Sequence, residues 1–280
     1  PPPPPPPLFF LHAQAGIPDP LWSRGLGDVY KRQAHKLSLL IFCSILFSPH
    51  ISKAGSPTSF VSGASVTAGE TSVEFRSGYA IDDERQSNDN RWQYRQHIDH
   101  GFNDLYALRL IVAQDDQRGQ DIDYNGFTVE NRFQLFNKTD HGWDGGFRIS
   151  YTAQESSADS LGFKLIGQYN LKQGLSARHN INIGTDVGSN ANNGIDFGVR
   201  SQIMQNINIA NLSKSAVGIE LFNDFGNLSE QSGFSSQDHQ IGPVFKGSLK
   251  NGINFETGYR YGVSRASRDH LLKFGIAKSF

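Results

Sequence analysis

This chain of 280 residues has a single cysteine, Cys43. One thiol can neither close an internal disulfide nor build a cysteine metal site. An excess of charge of one sign is also lacking. Lys and Arg number 26 against 27 Asp and Glu, a formal net charge of −1, so no global basic field draws the chain to nucleic acid. Long apolar runs are absent too. None approaches the roughly 20 residues that a helix needs to cross a bilayer, which excludes a helical membrane protein. A mean hydropathy of −0.44 looks soluble. A membrane barrel looks the same on that scale, because only alternate residues of its strands meet lipid. What is present in quantity is Gly (29) and Phe (20), which suit tight turns, close strand contacts and aromatic girdles.

The front of the chain differs from the rest. Pro1–Pro7 is a homopolymer, and residues 8–33 have no sustained period. The stretch Arg24-Gly25-Leu26-Gly27-Asp28-Val29-Tyr30-Lys31-Arg32-Gln33 resembles translated library-adaptor sequence, and there is no initiator Met. Residues 1–33 are expected to be a non-native, disordered extension, the alternative being a genuine proline-rich one. Lys36 then precedes the apolar run Leu37–Phe47, followed by Ser52-Lys53-Ala54. A basic residue, a short apolar core and small residues at cleavage spacing predict a secretory signal over 34–54, cut before Gly55. Cys43 falls inside that signal. A lipid anchor on it is disfavoured by the bulky Phe42 before it and by the apolar run that continues past it. Residues 55–69 are assigned to an N-terminal linker.

From Glu70 onward the chain alternates. In the last stretch Leu272, Phe274, Ile276 and Phe280 share one parity, and Lys273, Gly275, Ala277 and Ser279 the other. A two-residue period predicts a strand with one oily face. The scheme recurs about twelve times, with Arg, Lys, Asp or Glu mid-strand on the second parity. It predicts an all-β fold over 70–280: a closed antiparallel transmembrane β-barrel of about 12 strands (10 and 14 stay open), oily side to lipid. The stretch Gln205–Lys214 reads either as a long turn or as an extension of a neighbouring strand. A soluble sandwich or lipocalin-like barrel would alternate too, with the oily side inward. In that case Phe75, Phe133, Phe147 and Phe255 would pack in a dry centre.

The inward set predicts the chemistry. Arg95, Arg109, Arg132, Arg148, Arg178, Arg200 and Arg260, with Glu130, Glu220 and Glu256, are the candidate pore-lining residues. Arginine's planar fork holds carboxylates and phosphates bidentately, which suits an anion track. Pairing of Arg with Glu across neighbouring strands would instead plug the interior, and the sequence leaves both open. Other motifs carry less. Asp121-Ile122-Asp123-Tyr124-Asn125-Gly126 starts like a calcium loop, but its twelfth position is Arg132 rather than Glu. No His of the barrel has Ser two places later, as an outer-membrane phospholipase needs. Asp238-His239 and Asp269-His270 lie near outer strand ends, where an omptin-type protease keeps its dyads, yet adjacent residues face opposite sides of a strand.

From about Gly55 to Phe280 the chain resembles proteobacterial outer-membrane β-barrels of the small monomeric porin kind. Lys273, Gly275, Ile276 and Phe280 match that class's assembly signal, with Gly275 and Phe280 as its marks. Lys278 departs from it, a hydrophobe being usual there. The segment His239–Gly247 is similar to stretches in uncharacterised proteins of this type. The size and the inward arginines are similar to those of acidic-oligosaccharide porins. The resemblance implies a Gram-negative outer membrane, with lipid and the barrel-assembly machinery as partners and no cofactor. The function it implies is a channel for passive diffusion of small hydrophilic solutes, with a lean toward anions. The alternatives are a barrel enzyme (hydrolase or protease) and a non-conducting structural barrel.

Overall fold

The computed structural model describes residues 55–82, 89–117, 121–192, 194–230 and 232–280. The expected extension (1–33) and signal (34–54) lie outside the described residues.

Each alternating stretch forms a strand. In chain order they are β1 (Thr71–Ile81), β2 (Arg91–Gly101), β3 (Tyr106–Gln117), β4 (Asp123–Phe136), β5 (Trp143–Gln154) and β6 (Asp159–Asn170), then β7 (Leu175–Val187), β8 (Asp196–Ile207), β9 (Leu212–Asn227), β10 (Asp238–Leu249), β11 (Ile253–Gly262) and β12 (His270–Ser279). Every strand is antiparallel to its neighbours, and β12 returns to β1, so the sheet is a closed barrel. Closure leaves no free edge to satisfy in lipid. The seam is tied at the inner rim, where the Phe280 amide donates to the Thr71 carbonyl (2.8 Å) and the Thr71 amide donates back (3.3 Å).

The register follows from the stripe, because a slip by one residue would turn every apolar side chain inward. Phe75 pairs with Ile276 and Arg76 with Gly275 across the seam. Arg76 in turn faces Arg95 on β2. The apolar parity points out: Ile98, Ile203, Ile219 and Leu272 are each at least half exposed. Phe133 stacks on Phe147 at 4.7 Å, and Phe147 leans on Phe163, in a band along the same outer face. Phe75 is 37% exposed, whereas Arg148 is 5% exposed. The oily stripe therefore looks to lipid, and the soluble alternative falls.

Amphipathic rings gather at both rims, where they suit the headgroup zone. Tyr79, Trp92 and Tyr94 stack at the outer rim, and Trp143 stacks on Tyr169 at the inner one. Connections on the side of Thr71 and Phe280 are short, spanning 102–105, 137–142, 171–174, 208–211 and 250–252. Those on the opposite side reach lengths such as 82–90 and 228–237. This is the asymmetry of outer-membrane barrels. The stretch Gln205–Lys214 extends both neighbours: β8 runs through Ile207, β9 begins at Leu212, and Asn211 takes a left-handed φ of 71° in the turn.

Candidate functional site: the occupied lumen

The inward parity puts charged side chains into a narrow interior, and they meet partners that lie strands apart. Lys273 on β12 holds Glu220 on β9 at 2.6 Å and Glu256 on β11 at 2.7 Å. Arg132 on β4 reaches Asp99 on β2, which also accepts from Arg109 Nε at 2.8 and 2.9 Å. Arg148 donates to Glu130 at 2.8 Å. Contacts that skip a strand show how closely the inward side chains of several strands converge. Buried charges in this setting require partners.

The lumen is not empty. Residues 55–69, assigned to a linker by sequence, run from the outer rim to the inner rim inside the barrel. Thr58, Ser59, Phe60, Val61 and Ala64 are buried. The segment has no partner strand, so the wall supplies its hydrogen bonds. Arg260 donates to the carbonyls of Ser56 and Pro57, both at 3.2 Å. Asn180 brackets Ser62, accepting from its amide at 2.7 Å and donating to its carbonyl at 3.0 Å. Arg148 donates to the Gly63 carbonyl at 2.9 Å, Arg132 to that of Ser65 at 3.3 Å, and Gln134 accepts from the Val66 amide at 2.7 Å. Near the inner rim the Gly69 amide donates to the Gly101 carbonyl at 2.7 Å. Phe60 is the anchor. Arg76 and the Lys273 ammonium each lie 4.4 Å from its ring centre, a cation–π pairing that desolvation strengthens.

The segment divides what space remains. An outer cavity of about 870 Å³ is floored by Ser56 and Ser59. Two inner cavities of about 390 and 310 Å³ share Phe60 in their walls. In the outer connection after β11, Arg268 donates to the Gly55 carbonyl. Burial pulls its guanidinium down to about 10, with the Arg91 charge adding to the shift and Asp238 opposing it.

All the sequence-predicted luminal residues point inward, but in two groups. Arg109, Arg132, Arg148 and Arg260 are engaged by carboxylates or by the segment, and Glu130, Glu220 and Glu256 by Arg or Lys side chains. Arg95, Arg178 and Arg200 form no ion pair among the described residues. Arg95 and Arg200 border the outer cavity, and Arg178 borders the inner ones. Of the assembly-signal pair, Gly275 faces Phe60, whose ring would lie 2.6 Å from an added Cβ. Phe280 is exposed at the seam, with the Lys278 ammonium 5.2 Å from its ring. The protease-type pairs do not converge. Asp238 faces the lumen, while His239 lies on the other face under Phe234. His270 bonds the Tyr259 hydroxyl instead of an acid.

Sequence reasoning missed the segment itself. Its signal was available: 55–69 carries no charged side chain, a composition that can lie among ion pairs without disturbing their balance.

No protein-family model matches the chain, and no curated protein matches it. Solved structures do. A KdgM porin in complex with disordered oligogalacturonate is 15% identical, with a TM-score of 0.53 over 75% of this chain and 99% of that one. A second KdgM porin structure is 14% identical, with a TM-score of 0.50 over 75% and 99%. The fold is that of a porin. A NanC porin is also similar, at 12% identity and a TM-score of 0.49 over 73% and 97%. The porin fold and its outward apolar belt place this chain in a bacterial outer membrane.

Proposed function

We propose that this barrel is a channel for passive diffusion of small hydrophilic solutes, leaning toward anions and throttled by its own residues 55–69. The observation that carries the reading is the outer cavity. Arg91, Arg95, Arg148, Lys164, Arg200 and Arg268 border it against Asp115, Asp123 and Glu130. Arg95 and Arg200 make no ion-pair contact among the described residues, and Lys164 stands 3.9 Å from Glu130. Guanidinium groups that border open space without a direct ion pair favour anions at the mouth. The oligogalacturonate in the similar KdgM complex is a polyanion, which agrees with this lean. Arg109, Arg132, Arg178 and Arg260 join the pathway only where the segment shifts, because it now occupies or borders them.

Planar-bilayer recording in a salt gradient tests the reading. Wild type should give small current steps with an anion-leaning reversal potential. Arg95→Glu with Arg200→Glu should move that potential toward cations. An unchanged potential removes both residues from the pathway. A second reading, a non-conducting structural barrel, is favoured by the buried segment. Absence of current from wild type and from a chain lacking residues 56–66 would establish it.

A further inference from the structure

Asp238 stands at the outer end of β10 and is 2% exposed. Its carboxylate accepts from Gln240 Nε2 at 2.8 and 3.0 Å. It makes no ion-pair contact among the described residues, and the guanidinium groups of Arg200, Arg260 and Arg268 act on it only at longer range. Its remaining partner is the backbone nitrogen of Gly55, at 2.5 Å from Oδ2. On the other side of Gly55, Arg268 holds the carbonyl. Gly55 is also the residue that the sequence places first after the signal, with Ala54 ahead of it.

We propose that the α-ammonium of Gly55 is the cation in direct contact with Asp238, and that Asp238 with Arg268 forms a receptor for the processed N-terminus. The inference rests on reading residues 34–54 as a secretory signal, and it is independent of conduction. A signal peptidase breaks the Ala54–Gly55 peptide bond with one water. The hydroxyl stays on Ala54, which leaves as a carboxylate, and the amine of Gly55 becomes an ammonium. An amide N–H offers Asp238 one neutral donor. An ammonium offers three donors and a full charge, and charge-assisted bonds are shorter and about twice as strong. The site has the features such an end requires: an anion for the amine and a guanidinium for the first carbonyl. Next to it, Arg260 takes the carbonyls of Ser56 and Pro57. Processing thus fixes the outer end of the luminal segment. An uncut chain has no ammonium at Gly55 and forfeits the pair.

The full chain, secreted and extracted from outer membranes, tests this. N-terminal sequencing should read Gly-Ser-Pro-Thr-Ser; any other first residue overturns the proposal. Reductive methylation of the folded protein at neutral pH, read by peptide mass spectrometry, should find the Gly55 amine protected relative to exposed Lys172. In Asp238→Asn the amine should react about tenfold faster, the loss of one charge-assisted bond. Heat-modifiable gel mobility checks that the variant has folded. If it has not, the comparison of folded with heat-denatured wild type gives the same reading. A Gly55 amine that labels as fast in folded as in denatured protein removes the receptor.

Discussion

Lys273 shows what a single inward side chain does here. Sequence parity places it in the lumen, but parity does not disclose that it bridges Glu220 and Glu256 while covering the Phe60 ring. Removing one member of a buried ion cluster leaves uncompensated charge, which costs about 3–5 kcal/mol. Lys273→Met should therefore lower unfolding stability by about 3 kcal/mol, measured by urea titration of tryptophan fluorescence in lipid vesicles. Lys273→Met with Glu220→Gln should recover a large part of the loss, because the orphaned charge goes with it. A single variant as stable as wild type would mean that these charges are solvated rather than paired. Gly275 carries the same lesson: an added Cβ would meet the Phe60 ring at 2.6 Å, so its small size serves the segment as well as the strand.

At the scale of elements, the strands were readable because each must obey a two-residue period against lipid. Val73, Phe75, Ile203 and Leu272 lie where alternation puts them. The ion pairs were not readable, since Arg132 meets Asp99 across β3, and Lys273 meets Glu220 across two strands. Such partners depend on closure, not on sequence distance. The luminal segment was hidden for a related reason: it has no period, and its hydrogen bonds go to side chains of several strands. It also resolves a conflict. Arg132, Arg148 and Lys164 stand directly opposite one another across β4, β5 and β6, and like charges in register repel. Glu130 and the carbonyls of Gly63 and Ser65 offset that repulsion. Deleting residues 56–66 should strip those carbonyls away. Conductance should rise, and the reversal potential in a KCl gradient should shift further toward anions. A larger conductance with unchanged selectivity would show that Glu130 alone neutralises the row.

For the whole molecule, the two ends of the described chain lie at opposite rims. Phe280 is tied to Thr71 at the inner rim, while Gly55 sits with Asp238 at the outer rim. Residues 55–69 therefore run back to the outer rim although the sheet begins and ends at the inner one. The cysteine content makes this measurable, because Cys43 is the sole thiol and lies ahead of Gly55. Ser56 borders the outer cavity, and Thr67 is exposed near the inner rim. In intact cells, Ser56→Cys should couple to a bulky polyethylene-glycol maleimide that does not cross the outer membrane, and Thr67→Cys should not. After lysis, both should couple. Labelling of Thr67→Cys alone in intact cells would mean that the barrel sits the other way up. Labelling of neither before lysis, with both after, would mean that the mouth over Ser56 is covered by the outer connections. The pattern expected here requires both the threading and the polarity to hold, so one pair of variants examines them together.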